Sequence, residues 1–342
     1  MSLSSRTVFA RRTVLAAATG VATFGILHWH AADAAEFSYK AGHDMPPDHP
    51  LNVRLAQAAK KIAEESGGRL AVQIYPNSQL GGDTQMLAQV RSGALEVMLL
   101  GDNILGQVVP AASIAGLPFA FDSYQQLWAT MDGPLGDYIH AKIKATGLQV
   151  FDKGWDLGLR NVITGNRQVN TAADMKGLKL RVPEAPIQVS FFKALGASPT
   201  PISSQEMYTA MQTHLVDGAE QPLSSIEANK YYEVAKYISL TKHQATTFEA
   251  LANGGAYQRL PKNLQEILAR NLDEMAVLER ADISDGDVGL AEKLKTQGQT
   301  FATPDRASFR AVIQQAGLYA KWRDTYGPEP FALLEKAVGK LA

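Results

Sequence analysis

From Glu36 onward the chain alternates short runs of strand period with segments of helical period, and this order restricts the fold more than any other feature. Phe37 to Ala41 reads as a strand. Leu51 to Glu65 reads as a helix with Leu51, Leu55, Ala58, Ala59 and Ile62 on one face, ended by Gly67-Gly68. Leu70, Val72 and Ile74 alternate in a second strand, Asn77 to Gly82 is a turn, and Asp83 is placed to cap a helix that runs to Arg91 with Gly93 as its stop. Leu95 to Leu100 is an apolar third strand. Strand-helix-strand order needs crossover helices, which predicts an α/β fold built on a largely parallel sheet covered on both faces. The length of 342 residues and 46% apolar content allow a large buried core and more than one lobe.

Helices of mixed character follow from Tyr124 to Thr146, and Leu148 to Trp155 reads as a strand leaving a first lobe for a second. Thr164 to Val216 repeats the strand-helix order. Within it, Thr171 and Asp174 have the form of a capping box on one helical turn, Gly177 supplies a left-handed stop, and Leu178, Leu180 and Val182 alternate as one strand face. Ser203 and Glu206 form a second capping box before Met207 to Thr213. Past Leu260-Pro261, apolar residues at Leu264, Ile267, Leu268, Leu272, Met275 and Leu278 mark a long helix that continues, interrupted at Gly286 and Gly289, to about Leu294.

Pro183 ends its strand immediately after Arg181, and Arg160 sits in a similar setting within GWDLGLRNVITG. A charge at a strand end points into the crevice above the sheet, where ligands sit. Two guanidiniums there suggest a carboxylate clamp, since the planar fork matches two carboxylate oxygens and keeps its proton; structural ion pairs are the alternative. The polar groups at element ends form a candidate set of His43, Asp102, Trp155, Arg160, Arg181, Glu184, Ser204 and Gln221. For Glu184 the competing reading is a surface or Arg-paired carboxylate, and for Trp155 it is core packing.

Other chemistries lack support. A net charge of -1, from 33 basic and 34 acidic residues, gives no field for nucleic acid or anionic membrane. Without cysteine there is no disulfide, thiolate catalysis or cysteine metal site. The seven histidines include no HExxH spacing. Phosphate-cradling GxxxxGK[ST] and GxGxxG loops and a GxSxG elbow are missing, so no metal or cofactor is expected.

Residues 1 to 34 read as a signal peptide: Arg6, Arg11 and Arg12 make a positive n-region, Val14 to Leu27 an apolar stretch broken by Thr19, Gly20, Thr23 and Gly25, and Ala32-Asp33-Ala34 a small-residue cleavage site. That stretch is too short and polar to span a bilayer, and no later run reaches the roughly 18 apolar residues a span needs, so the mature protein is expected to be soluble. Arg11-Arg12 resembles a twin-arginine signal, with Val14 where that motif usually has an aromatic residue.

The block GLKLRVPEAPIQVSFFKALGASPTPISSQEMYTAMQTHLVDGAEQPLSSI, together with YPNSQLGGDTQMLAQVRSGALEVML, GLPFAF and GLRNVITGNRQVNTAADMKG, resembles the periplasmic solute-binding subunits of TRAP (tripartite ATP-independent periplasmic) transporters, from about Phe37 to His243. The resemblance implies a two-lobed periplasmic binding protein fold with a long helix braced across both lobes and the ligand in the cleft between them. It assigns the paired carboxylate contact to Arg181 in RVP and a second arginine contact to Arg160. It places Gln221 where a ligand-contacting asparagine is usual, which lengthens the reach by one methylene. His43 falls at the first strand end, where sialic-acid binders of the family carry an asparagine, Glu184 replaces another asparagine, and Asp102 lies next to an acidic contact. The expected lobes are 36–156 with about 245–285, and 157–244 with about 286–342.

The function expected is capture of a small organic acid by lobe closure and delivery to TRAP permease subunits in the membrane, by a monomer in the periplasm. Several acidic and amide groups around one clamp favour a sugar acid such as a hexuronate or aldonate over a C4-dicarboxylate, 2-oxo acid or aromatic acid. A periplasmic enzyme acting on a carboxylate, with Glu184 or Asp102 as base and His43 as acid, is the rival class, and it lacks a nucleophile, cofactor or metal. An extracytoplasmic sensor would differ only in its partner.

Overall fold

The computed structural model describes residues 35–341. The signal-peptide reading of residues 1–34 lies outside them.

Ten strands among the described residues form one mixed sheet: β1 Phe37–Gly42, β2 Leu70–Tyr75, β3 Val97–Gly101, β4 Leu148–Val150, β5 Trp155–Thr164, β6 Lys179–Val182, β7 Ser198–Pro201, β8 Gly218–Gln221, β9 Tyr237–Asn253 and β10 Thr300–Ala302. The main path is β2-β1-β3-β9-β5-β8-β6-β7, with β4 and β10 paired to β9. On one side β1 pairs in parallel with β2 and β3, and on the other β6 pairs in parallel with β7 and β8. Between these trios, β9 runs antiparallel to both β3 and β5, and β5 antiparallel to β8. The sheet is therefore two parallel trios joined by antiparallel strands, not the largely parallel sheet expected. The 17-residue strand β9 is the cause, since its Asn253 end pairs with β3 and β4 while its Tyr237 end pairs with β5 and β10.

Each half buries its own core. The Pro50–Glu65 helix packs Leu51, Leu55, Ala58 and Ile62 against Trp155 and against Leu264, Leu268 and Leu272 of the long helix. At the other end Ile163, Met207, Val216, Ile226 and Tyr231 enclose Leu294 from the end of that same helix. The Lys262–Thr296 helix is thus buried at both ends in different halves of the molecule, and its 35 residues extend about 52 Å. It runs unbroken through Gly286 and Gly289. Each costs roughly 1 kcal/mol relative to alanine, and packing at Ile283 and Leu294 on either side outweighs that local preference. A third core joins Leu100, Leu127 and Ile139 to Leu180, Phe191 and the C-terminal helices through Phe309, Trp322 and Phe331.

Local signals behave largely as read. The Thr171–Asp174 box caps the turn Ala172–Met175, and Gly177 takes φ +74°. Ser203 differs: its hydroxyl donates to Glu206 Oε2 (2.9 Å) and makes no cap bond to the helix Ser204–Gln212. Asp83 also differs, because it is the first residue of the helix Asp83–Ser92 and Gly82 is the cap, with Gly82 N–H donating to Gln85 Oε1 (3.1 Å).

Candidate ligand-binding site

Strand ends, helix starts and the middles of β5 and β9 converge on one cavity between the trios. The turn after β1 brings Asp44 and Met45, the end of β3 brings Gly101 and Asn103, and β6 brings Arg181. Gln221 arrives from β8, Arg160 from β5, Thr246 and Phe248 from β9, and Asp83 and Ser204 from the first residues of two helices. A second cavity shares Asp44, Met45, Ser204 and Gln221 and adds Asn77, Ser78, Gln205 and Asn229.

Arg181 is buried, and its Nε donates to the Ile202 carbonyl (2.8 Å), which fixes the plane of the guanidinium. Its Nη1 has no partner among the described residues. A buried, unpaired guanidinium nitrogen carries a desolvation cost that an arriving anion relieves. Burial is also the main influence lowering its pKa from the ordinary value.

Arg160 is engaged differently. Its Nε and Nη2 grip both carboxylate oxygens of Glu220, the Nη2–Oε1 distance being 2.8 Å, and Nη2 also donates to the Glu220 carbonyl (2.8 Å). That leaves Nη1, which donates to Thr246 Oγ1 (3.2 Å). Most of the fork is therefore spent on a buried ion pair. Burial opposes ionisation of Glu220, but Arg160 and the hydrogen bond from His243 hold its pKa below the usual value. His243 is itself pushed down by burial, so it meets Glu220 as a neutral ring (Nε2 to Oε2 3.3 Å), stacked on Phe191.

Two aspartates face this cationic pair. Asp44 Oδ2 accepts the Ser204 hydroxyl (2.9 Å), and Asp44 Oδ1 and Asp83 Oδ1 have no partner among the described residues. Burial raises the pKa of both, Asp83 well above the ordinary carboxyl value, with the Asp44 charge adding to the rise. Gln221 hangs on a weak contact to Met207 Sδ (3.5 Å), so its amide is free to turn toward a ligand.

Of the sequence-derived candidates, Arg160, Arg181, Ser204 and Gln221 line the cavity. The other four do not. His43 is one residue off register: its Nδ1 accepts the Met45 N–H (3.2 Å), its Nε2 bonds to Asn52 Oδ1 (3.1 Å), and burial lowers its pKa to about 4, so it pins the turn that presents Asp44. Asp102 is buried beside the cavity, with Oδ1 accepting the Asn103 N–H (2.8 Å), while its neighbours Gly101 and Asn103 reach the lining. Trp155 is fully buried in the core under the Pro50–Glu65 helix. Glu184 is exposed, touching Thr84 across the cleft rim (3.4 Å). Asp44 and Asp83 were missed because each reads as ordinary turn or cap chemistry. Their shared signal is a position at the junction of an apolar strand or turn with a helix.

Several bonds close the cleft between the trios. Gln205 Nε2 donates to the Ser78 carbonyl (2.9 Å), Gln107 Nε2 to the Glu184 carbonyl (2.6 Å), and Ser204 to Asp44 as above. The arrangement can fix one carboxylate at Arg181 and accept hydrogen bonds from hydroxyls at the opposite wall.

Residues 41–323 match the family model of bacterial extracellular solute-binding proteins, family 7. The chain belongs to this family. The 2,3-diketo-L-gulonate-binding periplasmic protein YiaO of Escherichia coli is 27% identical over 84% of this chain and 88% of its own. An uncharacterised protein of Sinorhizobium fredii, y4mM, is 34% identical over 76% of this chain, which spans about half (48%) of that longer relative. A TRAP periplasmic solute-binding protein from Polaromonas, solved bound to D-erythronate, superposes with a TM-score of 0.84 at 27% identity, covering 87% of this chain and 98% of that one. The protein is thus a two-lobed TRAP solute-binding protein, and family members of this kind bind and transport their solutes rather than transform them. Among the described residues no helix is long and apolar enough to cross a membrane.

Proposed function

We propose that the cleft captures a polyhydroxylated monocarboxylic acid, a hexuronate or aldonate, and that the protein delivers it to the TRAP permease. The observation that carries this reading is one unpartnered guanidinium nitrogen, Arg181 Nη1, sharing a cavity with two unpartnered carboxylate oxygens, Asp44 Oδ1 and Asp83 Oδ1. The ligand carboxylate pairs with Arg181. Arg160 Nη1 contributes one further donor, and Gln221 and Ser204 read polar groups nearby. Ligand hydroxyls donate to Asp44 and Asp83, whereas a second ligand carboxylate there would meet like charge or require a proton. The sugar acids named for YiaO and the Polaromonas protein support the same chemistry.

The ligand would favour closure by completing contacts on both trios at once, Asp44 and Asp83 on one and Arg181 and Gln221 on the other. The lobes divide near residue 157 and again near residues 245 and 285. Residues 1–34 direct export to the periplasm, where the mature chain works as a monomer.

A thermal-shift screen tests the reading. Hexuronates and aldonates should raise the unfolding midpoint, with about 2.7 kcal/mol of stabilisation at a hundredfold the dissociation constant, and succinate should not. A midpoint raised by succinate and unmoved by every sugar acid would overturn the hydroxyl-reading role of the aspartates.

A further inference from the structure

The long helix holds the start of β5, which crosses between the halves, and the residues leading into it at three backbone positions. Asp273 Oδ1 accepts the Lys153 N–H (2.9 Å), Arg280 Nε donates to the Gly154 carbonyl (2.7 Å), and Glu279 Oε2 accepts the Asp156 N–H (2.8 Å). Two residues on, Gly158 takes φ +107° at a register shift between β5 and β9, where an added Cβ would lie 3.1 Å from Pro222 Cβ. This is the crossing at which the chain passes from one core to the other.

Two acids meet here. Asp156 is saturated: Oδ1 accepts the N–H of Gly158 (2.7 Å) and Oδ2 the indole N–H of Trp128 (2.9 Å). Glu279 is fully buried, and its Oε1 has no partner among the described residues. The neighbouring cations are committed elsewhere. Arg54, from the Pro50–Glu65 helix, holds Asp282 through two bonds (2.6 and 2.8 Å), and Arg280 holds Asp132 (2.8 and 3.2 Å), with Lys153 on the same Asp132 (3.3 Å). On the Asp156 side stands Asp287, which accepts the Tyr124 hydroxyl (2.7 Å). Among the described residues Glu279 therefore has a carboxylate neighbour and no ion-pair partner.

We propose that Glu279 is a proton-held latch on the hinge: with its proton it keeps Asp156 and Gly158 in the closed arrangement, and losing that proton to solvent favours opening. Burial, reinforced by the Asp156 charge, places the Glu279 pKa well above the ordinary value, and burial raises Asp156 to about 7. Asp156 accepts two donors and so carries the negative charge, while Glu279 retains the proton on its unpartnered oxygen. Ionised Glu279 would repel the carboxylate that holds the Gly158 N–H. Hinge opening, which lets water reach the pair, relieves that repulsion, so closure is accompanied by proton uptake.

The absence of cysteine permits a clean distance measurement. Spin labels on Ser92→Cys and Lys193→Cys, both exposed and on helices of opposite trios, report opening in the ligand-free protein between pH 6 and 9. The short-distance fraction should fall at least twofold as pH rises, and Glu279→Gln, which keeps an oxygen for the Asp156 N–H but cannot ionise, should abolish the fall. A distance distribution independent of pH would overturn the latch. So would a pH dependence that persists in Glu279→Gln, since it would then belong to another raised acid, Asp156 or Asp273 at the crossing or Asp44 and Asp83 in the cleft.

Discussion

Arg160 and Arg181 carry the same group, but Arg160 lies in the middle of β5 and not at a strand end as expected, whereas Arg181 lies one residue from the end of β6, and their surroundings pair them differently. Glu220 occupies two nitrogens of Arg160, whereas no described residue pairs with Arg181 Nη1. Arg160→Ala should therefore act first on stability, because it strands a fully buried carboxylate. A loss of about 3–5 kcal/mol in denaturant titration is expected. Trp155→Phe should change ligand affinity by less than threefold, since the ring is packed in the core and does not touch the cavity; a change beyond tenfold in fluorescence titration would place it at the ligand. At this scale the sequence resolved residue type better than residue aim. Arg181 was legible because Pro183 ends its strand two residues later. His43 and Asp44 could not be told apart, since the pleat fixes alternation and the turn beyond Gly42 breaks it. Asp83 satisfied a helix-start pattern equally well as cap or as first residue, and only the packed cleft shows its unpartnered oxygen.

Elements were more legible where their signals were local. The strands at Phe37–Gly42, Leu70–Tyr75 and Lys179–Val182, and the turn capped by Thr171, follow from alternation and capping alone. The 17-residue β9 was not, because it is held by partners from both trios and by no periodic pattern of its own. Two predictions belong here. Gly158→Ala should destabilise the fold by on the order of 1–3 kcal/mol, since alanine disfavours φ +107° and its Cβ would press on Pro222; equilibrium unfolding reads this directly. The second concerns pH. Glu279 has a folded-state pKa above its unfolded value, so its contribution is fully present below about pH 4.3 and is lost as pH rises toward the raised folded value. Unfolding free energies at pH 5 and pH 8 should accordingly differ less in Glu279→Gln than in the parent, and an unchanged difference would refute the buried proton.

For the whole molecule, the residues from Ala35 onward fold as one compact unit. Removing residues 1–34 should thus leave the unfolding midpoint and ligand binding unchanged. Replacing Arg11 and Arg12 by lysine should block export if the twin-arginine route is used, and a normal periplasmic yield would assign the general secretory route instead. The central claim is that one buried guanidinium holds the ligand carboxylate. Its most direct test is calorimetric titration of the best sugar acid from the screen against the parent, Arg181→Ala and Arg181→Lys, with circular dichroism confirming that each variant is folded. Two charge-assisted bonds of about 1.5–3 kcal/mol each predict a loss of on the order of a hundredfold to ten-thousandfold for Arg181→Ala, and little recovery for Arg181→Lys, which keeps the charge without the fork. Binding by Arg181→Ala within threefold of the parent would contradict the account.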